Sequence, residues 1–435
     1  MSPRFLRKIY MGVLIVIFGG IVLHAPFSVV TSVLFPQFEL LFKSWKEILL
    51  IVASILIVIA VWREKKWQYI YKDRILQAIG IYIALHLLLL VPFWQGLAAS
   101  AAGLMIDLRY VIFFALVYIG LRLYPEYRSL FVKVGIIGAG VILVFALLQV
   151  FVLPPDILKY IGYSRDTIVP YLTVDQNPDY VRINSTLRGP NPVGAYAVIA
   201  LACVAAAFVK RKIPKDRRLI VLAGVLGAGG VVALWASYSR SALVAGVMAV
   251  GLVILLTIGR RLSRRAWIIS FIILGGLLGG FLAVRETSFV SHVLLHENPH
   301  GGSVVSSNDG HVESLEFGTS RLLAQPLGAG VGSTGSASMY GDSPLIIENQ
   351  YLFIAHETGW VGLIVFMAIS MLVLARLWRL RSDWLALGVF ASGIGLLAIG
   401  LLLPVWADDT VSIVWWGLAA VAIASKERYV RSTTK

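Results

Sequence analysis

Basic residues crowd every second connection between long apolar stretches, and this alternation leaves the chain few folds to choose from. Twelve stretches of roughly spanning length run over 9–23, 47–62, 75–91, 110–123, 130–153, 192–209, 219–235, 242–258, 266–284, 350–374, 384–403 and 411–424. A helix needs roughly 20 apolar residues to cross a bilayer. Apolar residues make up 58% of the 435 and charged ones 14%, too little polar surface for a water-soluble body of this size. The expected fold is all-α: a polytopic membrane protein with about 12 transmembrane helices, forming a single integral-membrane domain over 1–435.

Orientation follows from the excess of Lys and Arg in cytoplasmic loops. With the N-terminus inside, the inner connections hold Arg63, Lys65, Lys66, Lys72 and Arg74, then Arg122, Arg128 and Lys133. They go on with Lys210 to Arg218, Arg260 to Arg265, and Arg376, Arg379 and Arg381, and the tail adds Lys426, Arg428, Arg431 and Lys435. Both termini are therefore expected to be cytoplasmic. Lys43 and Lys46 depart from the rule. The net charge of +15 then serves the inner leaflet rather than nucleic acid. Arg4, Arg7 and Lys8 before the first stretch read as the flank of an uncleaved first helix. The single cysteine, Cys203, excludes an intramolecular disulfide framework. No Walker loop is present, which argues against a nucleotide, and no cofactor is expected. Trp62, Trp67, Trp94, Trp384, Trp406, Trp415 and Trp416 lie near stretch ends and read as interface anchors.

Two outer loops are long, 154–191 and the large extracytoplasmic loop 285–349 before helix 10. Long loops without their own secondary structure are commonly functional or disordered, so any chemistry belongs on the outer face. Arg109, Arg188 and Arg240 stand where the fourth, sixth and eighth stretches begin, all at the outer boundary. Arginine cannot discharge itself by losing a proton, so at membrane depth it needs an anion or water. Snorkelling to lipid phosphates is the alternative, and Asp107 is a ready partner for Arg109. A group of outward guanidinium forks suits a diphosphate, and a lipid diphosphate headgroup sits at this depth. Such forks stabilise charge on a departing diphosphate.

Glu348, Asn349 and Tyr351 stand at the end of the large loop, ahead of His356 and Glu357. Glu348 is placed to act as a general base if partly desolvated. A first-turn acid for Glu348 and a helix N-cap for Asn349 are the competing readings. His292, His296 and His300 have helical spacing for a metal, but Pro299 interrupts it, and no metal site is expected. Asp408 and Asp409 read as a solvated acidic pair, or as a divalent-ion site beside substrate phosphates.

Taken together, Leu187-Arg188-Gly189-Pro190-Asn191-Pro192, Tyr238-Ser239-Arg240-Ser241-Ala242, Pro326-Leu327-Gly328-Ala329-Gly330-Val331-Gly332, Glu348-Asn349-Gln350-Tyr351-Leu352 and Glu357-Thr358-Gly359 follow an order over about 180–365 that resembles the O-antigen ligase and polymerase superfamily. The resemblance implies a multi-spanning, metal-independent glycosyltransferase of the bacterial cytoplasmic membrane. Its partners would be a polyprenyl-diphosphate-linked glycan donor, a glycan or lipid acceptor, and membrane lipids. Residues matching Arg188 and Arg240 are implicated in holding the donor diphosphate. Arg109 and Arg321 are further candidates for it. Asn349 and Tyr351 would position the sugar, and Tyr180 and Tyr340 would stack on sugar rings. In the ligase branch a histidine precedes the Asn of the Asn-x-x-Leu segment; here Glu348 stands there. That leans the reading towards a polymerase, or a ligase acting on another acceptor. His311 is an alternative base. A transporter or flippase for an anionic or lipid-linked solute is the reading from a different class; it requires charges near mid-membrane, broken helices and an internal repeat.

Overall fold

The computed structural model of the chain describes residues 2–174, 177–210, 217–259, 287 and 307–424, with the side chains of 307–311 excepted. It is mostly helical, and among the described residues eight helical stretches are long and apolar enough to cross a membrane. The first of these, Pro3–Leu34, contains α1 (Pro3–Gly20) and α2 (His24–Leu34). Then come α3 (Trp45–Arg63), α4 (Arg74–Leu89), α5 (Leu97–Leu123) and α6 (Arg128–Phe151). After a hairpin follow α7 (Pro190–Val209), α8 (Arg217–Ala236), α9 (Arg240–Ile258) and α10 (Ser307–Ala324). The chain closes with α11 (Gln350–Arg379), α12 (Trp384–Ile399) and α13 (Asp409–Ala424). α4, α12 and α13 are shorter apolar helices. Each apolar stretch expected within the described residues contains a helix, though not always over its full length; 266–284 lies outside them.

Polar residues at the ends of these stretches start the helices. The first amides of a helix have no partner within it, and a short acceptor side chain supplies one. Asp73 accepts from Ile75 N–H at 3.0 Å, Asp383 from Leu385 N–H at 3.0 Å, and Asp408 from Val411 N–H at 2.9 Å.

One boundary differs from expectation in a way that matters. α5 begins at Leu97, not at 110. The segment 97–106 is rich in Ala, Ser and Gly, only moderately apolar yet strongly helix-permissive. Asp107 and Arg109 therefore lie inside a 27-residue helix, and both are buried.

α13 is the axis of the molecule. Every residue after Asp409 in it is buried, so a helix apolar all round has no lipid-facing side. Trp406, Trp415 and Trp416 consequently pack in the core instead of anchoring at an interface. The Trp415 and Trp416 ring centroids are 5.1 Å apart, and Tyr110 of α5 lies 5.5 Å from Trp416. Trp62, Trp67 and Trp94 are exposed.

Ion pairs sort the connections into two ends. Asp73 Oδ2 meets Tyr118 Oη at 2.8 Å, Arg122 Nη1 at 3.3 Å and Arg376 Nη2 at 3.4 Å. Arg7 pairs with Glu126 at 3.0 Å, and Arg128 lies 3.7 Å from Asp383. The connections around 64–74, 122–128 and 376–384 thus share one basic end. At the opposite end, the loop 154–191 is not wholly irregular. It carries β1 (Tyr171–Val174) and β2 (Asn177–Ile183), paired antiparallel with Tyr171 opposite Ile183.

Candidate functional site

At the end opposite the basic one, Arg182, Arg188 and Arg240 stand at or beside the starts of α7 and α9. Arg182, on β2, donates from Nε to the Ser237 carbonyl at 2.9 Å and from Nη2 to Asn191 Oδ1 at 2.7 Å. Ser237 opens the turn that carries Arg240, and Asn191 follows Arg188 by three residues. One guanidinium therefore ties together the two segments singled out in the sequence. The tie is close: a Cβ on Gly194 would lie 2.7 Å from Ala242 Cβ and 2.8 Å from Ser237 Oγ. Arg188 is half exposed, and its Nε meets Asp408 Oδ2 at 3.1 Å.

The electrostatics of this corner favour an anion. Helix N-termini carry partial positive charge, which disfavours a cation there and favours a negative group. Arg240 is the first residue of α9, and Arg188 stands just ahead of α7. Tyr238 sits between them in sequence at φ 47°, a left-handed conformation costing roughly 1–2 kcal/mol for a residue with a Cβ. Its ring lies 6.3 Å from Tyr180 and 6.2 Å from Trp235. Burial, and behind it the neighbouring Tyr180 hydroxyl, push the Tyr238 phenol above its usual range, so it is an O–H donor at neutral pH. Guanidinium forks beside an aromatic wall can hold phosphate oxygens and a sugar ring together.

Arg109 belongs to an adjoining, buried charge cluster. Its partner is not Asp107 but Asp409, which it contacts directly through Nη1, with Glu47 Oε1 at 3.8 Å. Asp409 Oδ2 also meets Lys46 Nζ at 3.1 Å and His24 Nε2 at 2.9 Å. The Trp45 indole N–H donates to His24 Nδ1 at 3.1 Å, and Lys46 Nζ lies 3.2 Å from His24 Nε2. Asp408 and Asp409 are thus not a solvated pair: Asp408 holds Arg188, and Asp409 holds Arg109, Lys46 and His24. The departure of Lys46 from the basic-loop pattern was the visible signal of this cluster. Nothing in the local sequence of Arg182 or His24 marked them.

The segment around Glu348 joins the same end from the other side. Asn349 is the N-cap of α11, accepting from Tyr351 and Leu352 N–H at 2.9 and 3.0 Å and donating to the Leu401 carbonyl at 2.7 Å. Tyr351 Oη donates to the Leu397 carbonyl at 2.6 Å, and Gln350 Oε1 accepts from Trp406 N–H at 2.8 Å. These side chains brace the 397–406 turn that leads into Asp408, so the structure gives Asn349 and Tyr351 internal partners rather than a free face for sugar. Glu348 is half buried, and its backbone N–H donates to Ser314 Oγ at 3.1 Å. Arg321 lies over the Phe317 ring, 4.8 Å from its centroid, on the side of α10 near His356. Tyr340 is exposed. The side chain of His311, and all of His292, His296 and His300, lie outside the described residues.

Compared with known proteins, the chain matches no protein-family model and no curated protein.

Proposed function

We propose that the chain is a glycosyltransferase of the cytoplasmic membrane that polymerises or ligates a polyprenyl-diphosphate-linked glycan on the outer face, through twelve spans with both termini cytoplasmic. The observation that carries this reading is the corner where Arg182 joins the turns of Arg188 and Arg240 at two helix N-termini. The resemblance of those same segments to O-antigen ligases and polymerases supports it. In the reaction, an acceptor hydroxyl oxygen bonds to the anomeric carbon of the donor glycan. The bond from that carbon to the diphosphate oxygen breaks, and polyprenyl diphosphate departs with the electron pair. Arg188 and Arg240 stabilise its growing charge. Glu348 takes the hydroxyl proton. Tyr180 and Tyr238 face the sugar. Lys46 and Arg109, balanced by Asp409 and Glu47, form a buried ion-pair network at the floor of the site.

The test uses purified protein in lipid vesicles with a polyprenyl-diphosphate oligosaccharide. A ladder of extended lipid-linked product identifies a polymerase, and one chain moved to a new acceptor identifies a ligase. Arg188→Ala and Arg240→Ala are each expected to lower turnover by about 100-fold or more while the protein still inserts. Glu348→Gln is expected to slow turnover without weakening donor binding. Unchanged turnover in both arginine variants would remove the diphosphate role.

A transporter for a lipid-linked or anionic solute is the second reading, and one observation favours it: α11 is broken at Gly359, and discontinuous helices build binding sites in transporters. Movement of the donor across the vesicle membrane without bond formation would decide for it.

A further inference from the structure

The break in α11 is filled by another part of the chain. At Gly359 the backbone takes φ 66° and ψ −169°. The glycine-rich segment 326–335 runs into the gap, with Ala329 N–H donating to the His356 carbonyl at 2.6 Å and Gly330 N–H to the Glu357 carbonyl at 3.1 Å. Trp360 N–H donates back to the Pro326 carbonyl at 2.9 Å. On its other side the segment lies on the start of α5, where a Cβ on Gly332 would fall 2.2 Å from the Ala99 carbonyl oxygen.

Beneath this segment lies a chain of buried polar groups that the proposed reaction does not use. Glu357 is fully buried; its Oε1 accepts from Thr334 N–H at 3.3 Å, and its Oε2 has no hydrogen-bond partner among the described residues. The Asp107 carboxyl lies beside it, within hydrogen-bonding reach. Asp107 Oδ2 is 3.5 Å from Nε2 of His86, which is also fully buried. His86 Nδ1 lies 2.8 Å from the Tyr82 carbonyl.

Donor and acceptor chemistry fixes how many protons this chain holds. A carbonyl oxygen only accepts, so His86 Nδ1 carries a hydrogen. A neutral imidazole would then turn a bare Nε2 towards an ionised Asp107, lone pair against lone pair. Ionised Asp107 and Glu357 would likewise face each other as two acceptors. Each junction is satisfied only when a proton occupies it. With both filled, His86 is a cation, Asp107 an anion and Glu357 a neutral acid, and the cluster carries no net charge. The other titratable groups facing it are Tyr82 on α4, Tyr110 and Arg109 on α5, and His356 on α11 with Arg321 of α10 behind it. Arg109 is already engaged by Asp409.

We propose that His86, Asp107 and Glu357 form a buried proton-binding site that latches the 326–335 segment into the broken helix. The protonated Glu357 donates from Oε2 to Asp107 and accepts at Oε1 from Thr334. Loss of that proton to bulk base sets two carboxylates side by side and loosens the segment. The latch is closed at acidic and neutral pH and opens as the pH rises.

The test is backbone hydrogen exchange over 326–335 in the full-length protein in vesicles, corrected for the intrinsic pH dependence of exchange, with infrared detection of protonated carboxyls alongside. Wild-type exchange is expected to quicken several-fold towards alkaline pH. Glu357→Gln, which keeps the donor and acceptor of the neutral acid, is expected to stay protected throughout, and Glu357→Ala to exchange fast at every pH. The protonated-carboxyl band should vanish in Glu357→Gln and persist in Glu348→Gln. A wild-type segment indifferent to pH, a Glu357→Gln variant that follows wild type, or the absence of the band would overturn the proposal. A response to sodium at fixed pH would assign a metal cation and overturn it too. None of these readouts depends on glycosyl transfer.

Discussion

Arg182 decides whether the arginine corner exists as one object. It sits on a hairpin strand and donates hydrogen bonds to Ser237 and Asn191, which lie on other elements. Hydrogen bonds from a charged donor contribute about 1.5–3 kcal/mol each. Arg182→Ala is therefore expected to raise the donor KM by about ten-fold or more, with Arg182→Lys recovering little because a single ammonium cannot span both partners. A KM at the wild-type value would separate Arg182 from the site. Asp409 poses the converse case. Asp409→Asn leaves Arg109 and Lys46 buried beside a neutral group, a change of the kind that costs about 3–5 kcal/mol. A fall in Tm in detergent, larger than that of Asp408→Asn, is the expected result. The sequence could not display either role. Arg182 is placed by strand pairing, and the partners of Asp409 lie some 300 residues or more away in the chain. Arg188 and Arg240 stand out in the sequence because a guanidinium at the start of an apolar helix has few roles open to it.

The elements were read from the sequence with success in proportion to their apolar length. Continuous runs such as α6 and α9 are governed by one requirement, backbone satisfaction in hydrocarbon, and hydropathy reports it directly. Hydropathy alone starts α5 at 110 rather than at Leu97, because small residues at its start add little hydropathy while forming helix readily. The pairing of 326–335 with α11 had no local signature beyond its glycines. Those glycines carry a definite expectation. Gly359→Ala forces a side chain into positive φ, at roughly 1–2 kcal/mol, and places its Cβ 2.4 Å from the Pro326 carbonyl oxygen. The variant should unfold at clearly lower temperature and lose exchange protection over 326–335. Gly341→Ala, whose Cβ would meet ordinary contacts from 3.5 Å outwards, should behave as wild type. Equal Tm values for the two would contradict the packing described.

For the whole molecule, the basic end and the site end lie at opposite extremes of a bundle built around α13, and the proposed orientation places the first inside the cell. Cys203 is the only cysteine, so a Cys203→Ala background accepts single reporters. Tyr71 and Tyr340 are both exposed, at 58% and 60%. A cysteine at 340 is expected to react with an impermeant maleimide added outside intact cells, and one at 71 only after permeabilisation. Labelling of both from the same side would reverse or break the topology. The seating of 326–335 also bears on how relatives of this protein can diverge. Backbone bonds at Ala329, Gly330 and Trp360 fix that segment in register against α11, so a single inserted or deleted residue between Pro326 and Thr334 would throw every later bond out of step. The exposed stretch at 342–344 has no such constraint. Length variation among homologous chains should therefore accumulate in the second interval and be purged from the first.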